Sequence, residues 1–361
     1  MFDWAITLGL IFGGCCSNAL TLERVTSEYP FSGTLITFSQ FFLISLHGLP
    51  QFVSFTPGPL SIPVPYLRPR RIPLTPYIIQ VGLFYSVSLL NNLAFGYDIP
   101  MPVHIIFRSG GLVISMLVGW SLSRKSYTVS QLLSVLIVTV GVILTTLSSH
   151  RQEAANSSLY PTTSRYLTGI GILTLALVLS GLLGVVQDKT FTSYAQDPKT
   201  HPASNRTRSS AATKARRLPN IWEESMFYLH FLALPMFFFV RHDLSAQAKA
   251  LFSSHSRTVA FYIPMAATQF AFPAVLPALL ANTLTQLLCV AGVNRLTTRV
   301  PALTVTLILV VRKAVSLVLS VLLFDGSNVA WGMLWGGAFL VFAGTVGYTV
   351  SGRGWKKDKK H

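Results

Sequence analysis

Charged residues are scarce in this chain: they make up 11% of its 361 residues, whereas hydrophobic residues make up 51%. A soluble domain normally carries about 25% charged residues, so the composition excludes a mainly soluble protein. Apolar runs occupy most of the length. We therefore predict a polytopic membrane protein without a large soluble domain.

Acidic residues are scarcer still, with 12 Asp and Glu against 28 Lys and Arg. No His/Glu metal spacing and no Gly-rich phosphate loop of the Walker type occurs, and the few acids lie mostly at the ends of apolar runs. A membrane transferase that uses a nucleotide sugar would normally need a carboxylate-rich metal site. We therefore predict a protein that is not an enzyme and that has no catalytic residue, metal or cofactor.

Cysteine is almost absent, and the three residues present, Cys15, Cys16 and Cys289, all lie in apolar runs. No disulfide framework is predicted from them. The first apolar run follows Asp3 and not a basic segment. It is therefore expected to be a membrane span and not a cleaved signal peptide.

Ten apolar runs approach the length of about 20 residues that crosses a bilayer. The predicted spans are 4–22, 31–53, 77–97, 101–122, 129–147, 166–186, 222–240, 275–294, 301–324 and 330–350. The eighth is the least regular, because prolines interrupt the stretch 261–280, whose beginning is open between a re-entrant or interfacial segment and part of the span. The predicted fold class is all-α, with ten transmembrane helices.

Basic residues indicate which side of the membrane faces the cytosol. Lysine and arginine are concentrated in alternate loops and in the tail, at 68–71, 124–125, 189–217, 295–299 and 353–360. By the positive-inside rule, both termini are predicted to be cytosolic. The formal net charge of +16 is thus assigned to topology, and no nucleic acid partner is predicted.

A polar, basic connection separates the spans into two sets of five, a common plan among secondary transporters. We predict a first five-helix repeat at 1–187, a flexible cytosolic linker at 188–220, a second five-helix repeat at 221–351 and a cytosolic tail at 352–361.

Three cations lie inside predicted spans: Arg108 in the fourth, and Arg312 and Lys313 in the ninth. A charge at the bilayer centre costs at least about 2.5–3.5 kcal/mol, so such residues are expected to face a water-filled cavity or an anionic cargo. The fourth and ninth spans are equivalent in the two halves, which favours one shared midplane site. A structural alternative, in which backbone carbonyls or buried acids hold the cations, stays open.

Helical spacing places polar and small residues on one face of the fourth span. That face comprises His104, Arg108, Gly111, Ser115 and Gly119. Small residues allow close approach of a ligand, and they serve helix packing equally well. The packing explanation does not account for an arginine in the same stripe.

In the ninth span, Lys313 shares a face with Thr306, Ser316 and Ser320, and Arg312 is rotated by about 100° from it. Arginine offers a planar fork for phosphate oxygens and lysine a compact point charge. The pair suits a diphosphate.

Polar residues in the other spans suit sugar hydroxyls and the edges of uracil. These residues are Asn18, Thr37, Gln40, Asn91, Asn92, Glu224, Tyr228, Asn282 and Gln286. For each one taken singly, interhelical hydrogen bonding is at least as good an explanation.

The stretch NNLAFGYDIPMPVHIIFRSGGLVISMLVGW at 91–120 resembles the nucleotide-sugar transporters of the drug/metabolite transporter superfamily. It is most similar to the endoplasmic-reticulum UDP-N-acetylglucosamine transporters of fungi and their animal relatives. Blocks at 13–23, 33–42, 181–191, 227–237 and 303–320 extend the resemblance to both halves. The resemblance implies two inverted five-helix repeats, alternating access, and exchange of cytosolic UDP-N-acetylglucosamine for lumenal UMP.

The resemblance also implies residue roles. Arg312 and Lys313 match the ninth-span motif that meets the phosphates, and Tyr228 falls in a seventh-span block near the substrate. That block lacks the Asn pair of GDP-mannose carriers, which counts against GDP-mannose. UDP-xylose or another UDP-sugar stays open as the cargo, as does a different class, a non-transporting sorting or scaffold receptor.

The tail carries a K-x-K-x-x pattern through Lys357 and Lys359. The pattern resembles a dilysine signal for retrieval to the endoplasmic reticulum by coat-protein recognition, although a basic tail also simply fixes topology. We therefore expect a multi-pass protein of the endoplasmic reticulum or Golgi membrane. The expected partners are a UDP-sugar, UMP and the lipid bilayer, and a homo-oligomer stays open.

Overall fold

The computed structural model is predominantly helical. It describes residues 2–29, 32–57, 63–94, 97, 110–149, 163–195, 219–253, 258–263, 268–273, 275–324 and 331–358. Its helices are α1 (Phe2–Gly9), α2 (Cys15–Glu28), α3 (Gly33–Phe52), α4 (Leu74–Ala94), α5 (Gly111–Ser123), α6 (Val129–Ser149), α7 (Thr163–Ala195), α8 (Ile221–Ala233), α9 (Arg241–Ser253), α10 (Val275–Thr297), α11 (Ala302–Phe324) and α12 (Trp331–Asp358). A π-helical turn, Leu10–Gly14, joins α1 to α2, and a 3₁₀ helix, Leu234–Val240, joins α8 to α9.

At least one of these helices overlaps each predicted span. Within the described residues, four helical stretches are both long and apolar enough to cross a membrane: Asp3–Thr26, Leu167–Tyr194, Val275–Thr297 and Gly332–Ser351. Shorter apolar helices lie at Gly111–Ser123 and Val129–Thr145. The chain is therefore a helical membrane protein, while the count of ten crossings and the inverted repeats stay predictions.

Two compact units make up the chain, and each is built from two separate stretches. The first unit combines Met1–Ile78 with Thr190–Thr298, and the second combines Ile79–Lys189 with Arg299–His361. Each unit thus draws on both predicted repeats. Because packing units do not reveal whether two halves arose by duplication, the repeat boundaries stay a prediction.

Glycine allows very close helix packing in the first unit, where the π-helical turn and α2 lie against α10. A Cβ on Gly14 would fall 2.8 Å from the backbone nitrogen of Cys289, and one on Gly292 would fall 2.9 Å from Cβ of Leu10. Close backbone approach through small residues is the usual way to hold membrane helices together. This contact brings Cys15 next to Cys289.

Cys15 and Cys289 form a disulfide bond, with their Cα atoms 4.5 Å apart. The sequence implied no disulfide framework and did not predict this single bond. The partners are 274 residues apart in sequence, and only the glycine-mediated contact of the two helices brings them together. Cys16 is buried and does not take part in this disulfide.

Thiol counting tests this bond. We expect one alkylated cysteine, Cys16, when the purified protein is denatured without reductant, and three after reduction. A Cys16→Ser control should leave none without reductant, because the other two sulfurs are bonded to each other. Labelling of three cysteines in the unreduced wild-type protein would contradict the bond.

The second unit is centred on the contact of α6 with α12, which is again made through glycines. A Cβ on Gly141 would fall 2.7 Å from the carbonyl oxygen of Gly337, and one on Gly344 would fall 2.9 Å from that of Ser134. A hydrophobic core extends this contact to α5 and α11 through Leu112, Met116, Val135, Val138, Leu303, Leu307, Val310, Ala314 and Val341.

Two antiparallel hairpins add β structure to the predicted all-α fold. Strands β1 (Val53–Pro57) and β2 (Pro63–Leu67) form one, and β3 (Thr258–Ile263) and β4 (Thr268–Pro273) form the other. Proline lacks a backbone N–H and disfavours continuous helix, which fits strands that begin or end on Pro57, Pro63 and Pro273. The second hairpin takes up the irregular stretch before the eighth predicted span.

Candidate functional site

The helices of the fourth and ninth predicted spans pack together in the second unit. Leu112 and Met116 of α5 share a core with Leu303, Leu307 and Val310 of α11. The apolar face of α11 is thus used for packing, which leaves its other faces for polar groups. The two helices are in contact, whereas the predicted binding site shared by the two spans stays a prediction.

On α11, the predicted basic pair has two different environments. Lys313 is exposed on its unit and Arg312 is half-buried, while Ala314 beside them is buried in the core at 6% exposure. Ser316, one turn along from the pair, is 9% exposed. The hydroxyl of Thr306 donates to the carbonyl of Ala302 at 2.9 Å, so it is used within its own helix.

Several predicted site residues cannot be placed. Arg108 and His104 lie outside the described residues. The backbone of Asn92 belongs to α4, but the position of its side chain is not described. The roles assigned to these three residues therefore stay predictions.

In the first unit, the predicted amides meet in one hydrogen-bond network. Asn282 is fully buried and accepts a hydrogen bond from Nε2 of Gln40 at 2.7 Å. Its own Nδ2 donates to Oδ1 of Asn18 at 3.0 Å and to Oγ1 of Thr21 at 3.2 Å. Thr285 extends the network, with its hydroxyl 3.3 Å from that of Thr21.

This amide network links α2, α3 and α10. Because its members satisfy one another, the arrangement favours interhelical hydrogen bonding over ligand contact for Asn18, Gln40 and Asn282 in this conformation. Gln286 lies one turn beyond Asn282 on α10 and is half-buried. No described contact joins Gln286 to the network.

Tyr228 lies in an aromatic cluster of the first unit. It is 1% exposed, its ring stacks on Tyr77 with centroids 5.3 Å apart, and it meets Phe52 edge-on at 5.8 Å. Phe227 stacks on Phe52 at 4.8 Å. Contact between Tyr228 and a ligand requires this cluster to open, so the predicted role of Tyr228 stays a prediction.

Glu224 is the most heavily bonded buried acid of the described chain. It is 2% exposed and accepts hydrogen bonds from the backbone N–H groups of Arg71 at 2.8 Å and Ile72 at 2.9 Å. The hydroxyl of Tyr77 lies 3.3 Å from the same carboxylate. Glu224 thereby fastens the segment before α4 to the start of α8.

Sequence reasoning did not assign this fastening role. It grouped Glu224 with polar residues suited to a ligand, although a carboxylate in the first turn of an apolar helix was itself a signal. The partners could not be predicted, because two of them are backbone amides of a proline- and arginine-rich segment without a regular pattern. Among the described residues, no cluster of three or more His, Cys, Asp or Glu could hold a metal ion.

Apolar helices of membrane length that pack through glycines define a multi-pass helical membrane protein. The sequence model of the UAA transporter family matches residues 3–201 and 210–352. The chain therefore belongs to the UAA transporter family, a family of nucleotide-sugar transporters, and the resemblance stated above is confirmed.

Relatives of known name align along almost the whole chain. The chain is 36% identical to the "UDP-N-acetylglucosamine transporter yea4" of Schizosaccharomyces pombe, covering 95% of this chain and 94% of the relative. It is 33% identical to the zebrafish "UDP-xylose and UDP-N-acetylglucosamine transporter", with coverage of 99% and 98%. It is also 35% identical to the "Endoplasmic reticulum GDP-fucose transporter" of Drosophila melanogaster, with coverage of 93% and 87%.

A solved crystal structure shares the fold. It superposes with a TM-score of 0.58 over 96% of this chain and 98% of the other, at 12% sequence identity. At that identity the likeness concerns the fold alone.

Proposed function

We propose that the protein exchanges cytosolic UDP-N-acetylglucosamine for lumenal UMP by alternating access in the membrane of the endoplasmic reticulum. The observation that carries the proposal is the basic pair Arg312–Lys313 on α11, a helix predicted to span the membrane, in a family member with relatives named for UDP-N-acetylglucosamine transport. The lysine provides a compact positive charge for a diphosphate, and the planar guanidinium of the arginine also orients it.

Location in the endoplasmic reticulum is supported by a relative named for that organelle, and the residues proposed to direct it there are Lys357 and Lys359. Lys359 lies outside the described residues, and α12 reaches Asp358. Replacing both lysines by serine should move the full-length protein out of the endoplasmic reticulum when its position is followed by microscopy.

Exchange in proteoliposomes tests the transport proposal. Vesicles that contain the purified full-length protein and are preloaded with UMP should take up labelled UDP-N-acetylglucosamine, whereas vesicles without internal nucleotide should take up little. The dependence on UMP is expected because in an exchanger only the loaded carrier reorients, and a cargo biases a carrier only through different affinities for its two states. Equal uptake into empty vesicles would contradict exchange.

Competition with unlabelled sugars identifies the cargo. We expect UDP-N-acetylglucosamine to compete best, with UDP-xylose as the second candidate because a relative carries both names. GDP-mannose should compete poorly, because the Asn pair of GDP-mannose carriers is missing. GDP-fucose is included because the fly relative is named for that cargo. Absence of uptake for every nucleotide sugar would favour the non-transporting receptor.

A further inference from the structure

A pocket with two basic residues lies where α5 ends and the chain turns into α6. It has a volume of about 440 Å³ and is lined by Trp120, Ser121, Arg124, Lys125 and Ser126. The two basic residues belong to a short loop predicted to be cytosolic, and tryptophan is typical of the level of the lipid headgroups. The pocket is therefore expected at the membrane surface.

An apolar groove continues from the pocket between α5 and α6. It has a volume of about 350 Å³, shares Trp120 and Ser126 with the pocket, and is lined further on by residues such as Leu117 and Leu132. These two leucines are about half exposed, at 52% and 47%. In a bilayer they face acyl chains.

The charge of the pocket is carried by Arg124. Lys125 is paired with Asp188 of α7, which offsets its charge. Arg124 is exposed, and within the described part of the chain it forms no ion pair with that carboxylate or with another. An arginine fork is well suited to phosphate oxygens, and the nearby serine hydroxyls are further donors.

Arg124 is also held in an unusual backbone conformation. With φ at 48° it is the only non-glycine residue of positive φ among the described residues. It ends α5 in a capping turn in which the N–H of Lys125 donates to the carbonyl of Gly119 at 3.3 Å. Glycine is the usual residue there, because a Cβ disfavours the left-handed conformation. The disfavoured backbone of Arg124 motivates a functional role for its side chain.

Tyr127, which lines the groove, packs over Gly119 of α5. A Cβ on Gly119 would fall 2.5 Å from the hydroxyl oxygen of Tyr127, so a larger residue at 119 would displace the Tyr127 side chain. Burial raises the pKa of Tyr127 to about 12. The hydroxyl is uncharged at physiological pH, as it would also be at its ordinary pKa of about 10, and it does not repel an anion.

We propose that the pocket and groove together bind an anionic phospholipid of the surrounding leaflet, with its phosphate at Arg124 and one acyl chain between α5 and α6. The charge of the pocket matches the headgroup, and the continuous apolar groove matches the chain attached to it. Basic pockets beside membrane helices at the cytosolic surface are a known form of lipid recognition. The site does not depend on the proposed cargo.

Lipid titration of the purified full-length protein in neutral detergent tests the site. Native mass spectrometry is expected to show phosphatidylinositol bound about fivefold more tightly than phosphatidylcholine of the same acyl chains, the factor given by one surface cation. Arg124→Lys should retain this preference. Arg124→Asn should lose it, and asparagine tolerates the left-handed backbone. Equal preference in Arg124→Asn and wild type would overturn the proposal.

Matched variants separate a specific site from general attraction. Lys189→Gln removes one exposed charge from the end of α7 outside the pocket and should keep the preference within about twofold. Leu132→Trp should weaken phosphatidylinositol binding by filling the groove, whereas Leu133→Trp alters a neighbouring exposed residue that does not line it. Equal effects within either pair would overturn the proposal. So would soluble inositol phosphate that competes as well as the lipid.

Discussion

Replacing Lys313 by alanine is expected to abolish exchange of UDP-N-acetylglucosamine while the protein still reaches the membrane. Lys313 is exposed on its unit, so truncation removes little packing. A hydrogen bond to a charged group contributes about 1.5–3 kcal/mol, so one lost lysine–phosphate contact corresponds to a loss of about 10- to 150-fold in affinity. The measurement is the initial rate of exchange in UMP-loaded proteoliposomes, normalised to reconstituted protein.

Three companion variants define what the loss means. Val315→Ala truncates a partly exposed residue of the same helix, 37% exposed, and should exchange like wild type. Arg312→Lys keeps the charge but loses the planar fork, so an intermediate rate is expected. Arg108→Ala tests whether the fourth span contributes to the same site. Near-normal exchange by Lys313→Ala would remove the pair from the transport mechanism, whatever the protein carries.

The positions of the helices could largely be predicted, because each apolar run of membrane length is a local signal. The predicted fifth span at 129–147 corresponds to α6 at Val129–Ser149, and the predicted ninth span at 301–324 to α11 at Ala302–Phe324. The seventh span was predicted as one α-helix, but it changes from α-helix to 3₁₀ helix at Leu234. Pro235 follows directly, and proline cannot donate the backbone hydrogen bond that would continue the α-helix.

Long-range contacts could not be predicted in the same way. The Cys15–Cys289 bond depends on the close approach that Gly14 and Gly292 allow between distant helices. Neither glycine differs in local pattern from the other glycines of the spans. Which helices belong to each of the two compact units could not be predicted either. The order of the spans along the chain does not determine which helices pack together.

The sequence predicted which types of residue form the candidate site better than it predicted which of them contact one another. The basic pair on α11 was recognisable because cations are costly inside apolar runs. The amides Gln40 and Asn282 were equally compatible with a ligand and with each other, and only the structure shows their mutual hydrogen bond of 2.7 Å. Binding a ligand and bonding to another helix call for the same side-chain chemistry. Only interatomic distances distinguish the two roles, and a single sequence does not contain them.

The second large effect is expected at Glu224. Glu224→Ala leaves the buried N–H of Ile72 and the partly buried N–H of Arg71 without their acceptor. An unsatisfied buried donor costs about 1–3 kcal/mol, so the free energy of unfolding should fall by about 2–5 kcal/mol. The measurements are the thermal midpoint of the purified protein and the rate of amide hydrogen exchange in the segment 68–73.

Glu224→Gln should lie between wild type and Glu224→Ala, because an amide can accept at only one of its two positions and presents a donor at the other. Tyr77→Phe removes only the longer bond of 3.3 Å and should have the smallest effect.

Glu223→Ala is the matched control, since Glu223 is the adjacent acid and caps α8 by accepting from the N–H of Asn220 at 2.8 Å. Loss of this helix cap costs about 1 kcal/mol. It should destabilise α8 without speeding amide hydrogen exchange in the segment 68–73. The segment 68–73 carries Arg68, Arg70 and Arg71 and lies on the predicted cytosolic side. Faster amide hydrogen exchange in this segment in Glu224→Ala would show that its contact with α8 has loosened. If Glu223→Ala and Glu224→Ala had the same thermal midpoint and the same rate of amide hydrogen exchange at 68–73, Glu224 would not be the residue that fastens this segment to α8.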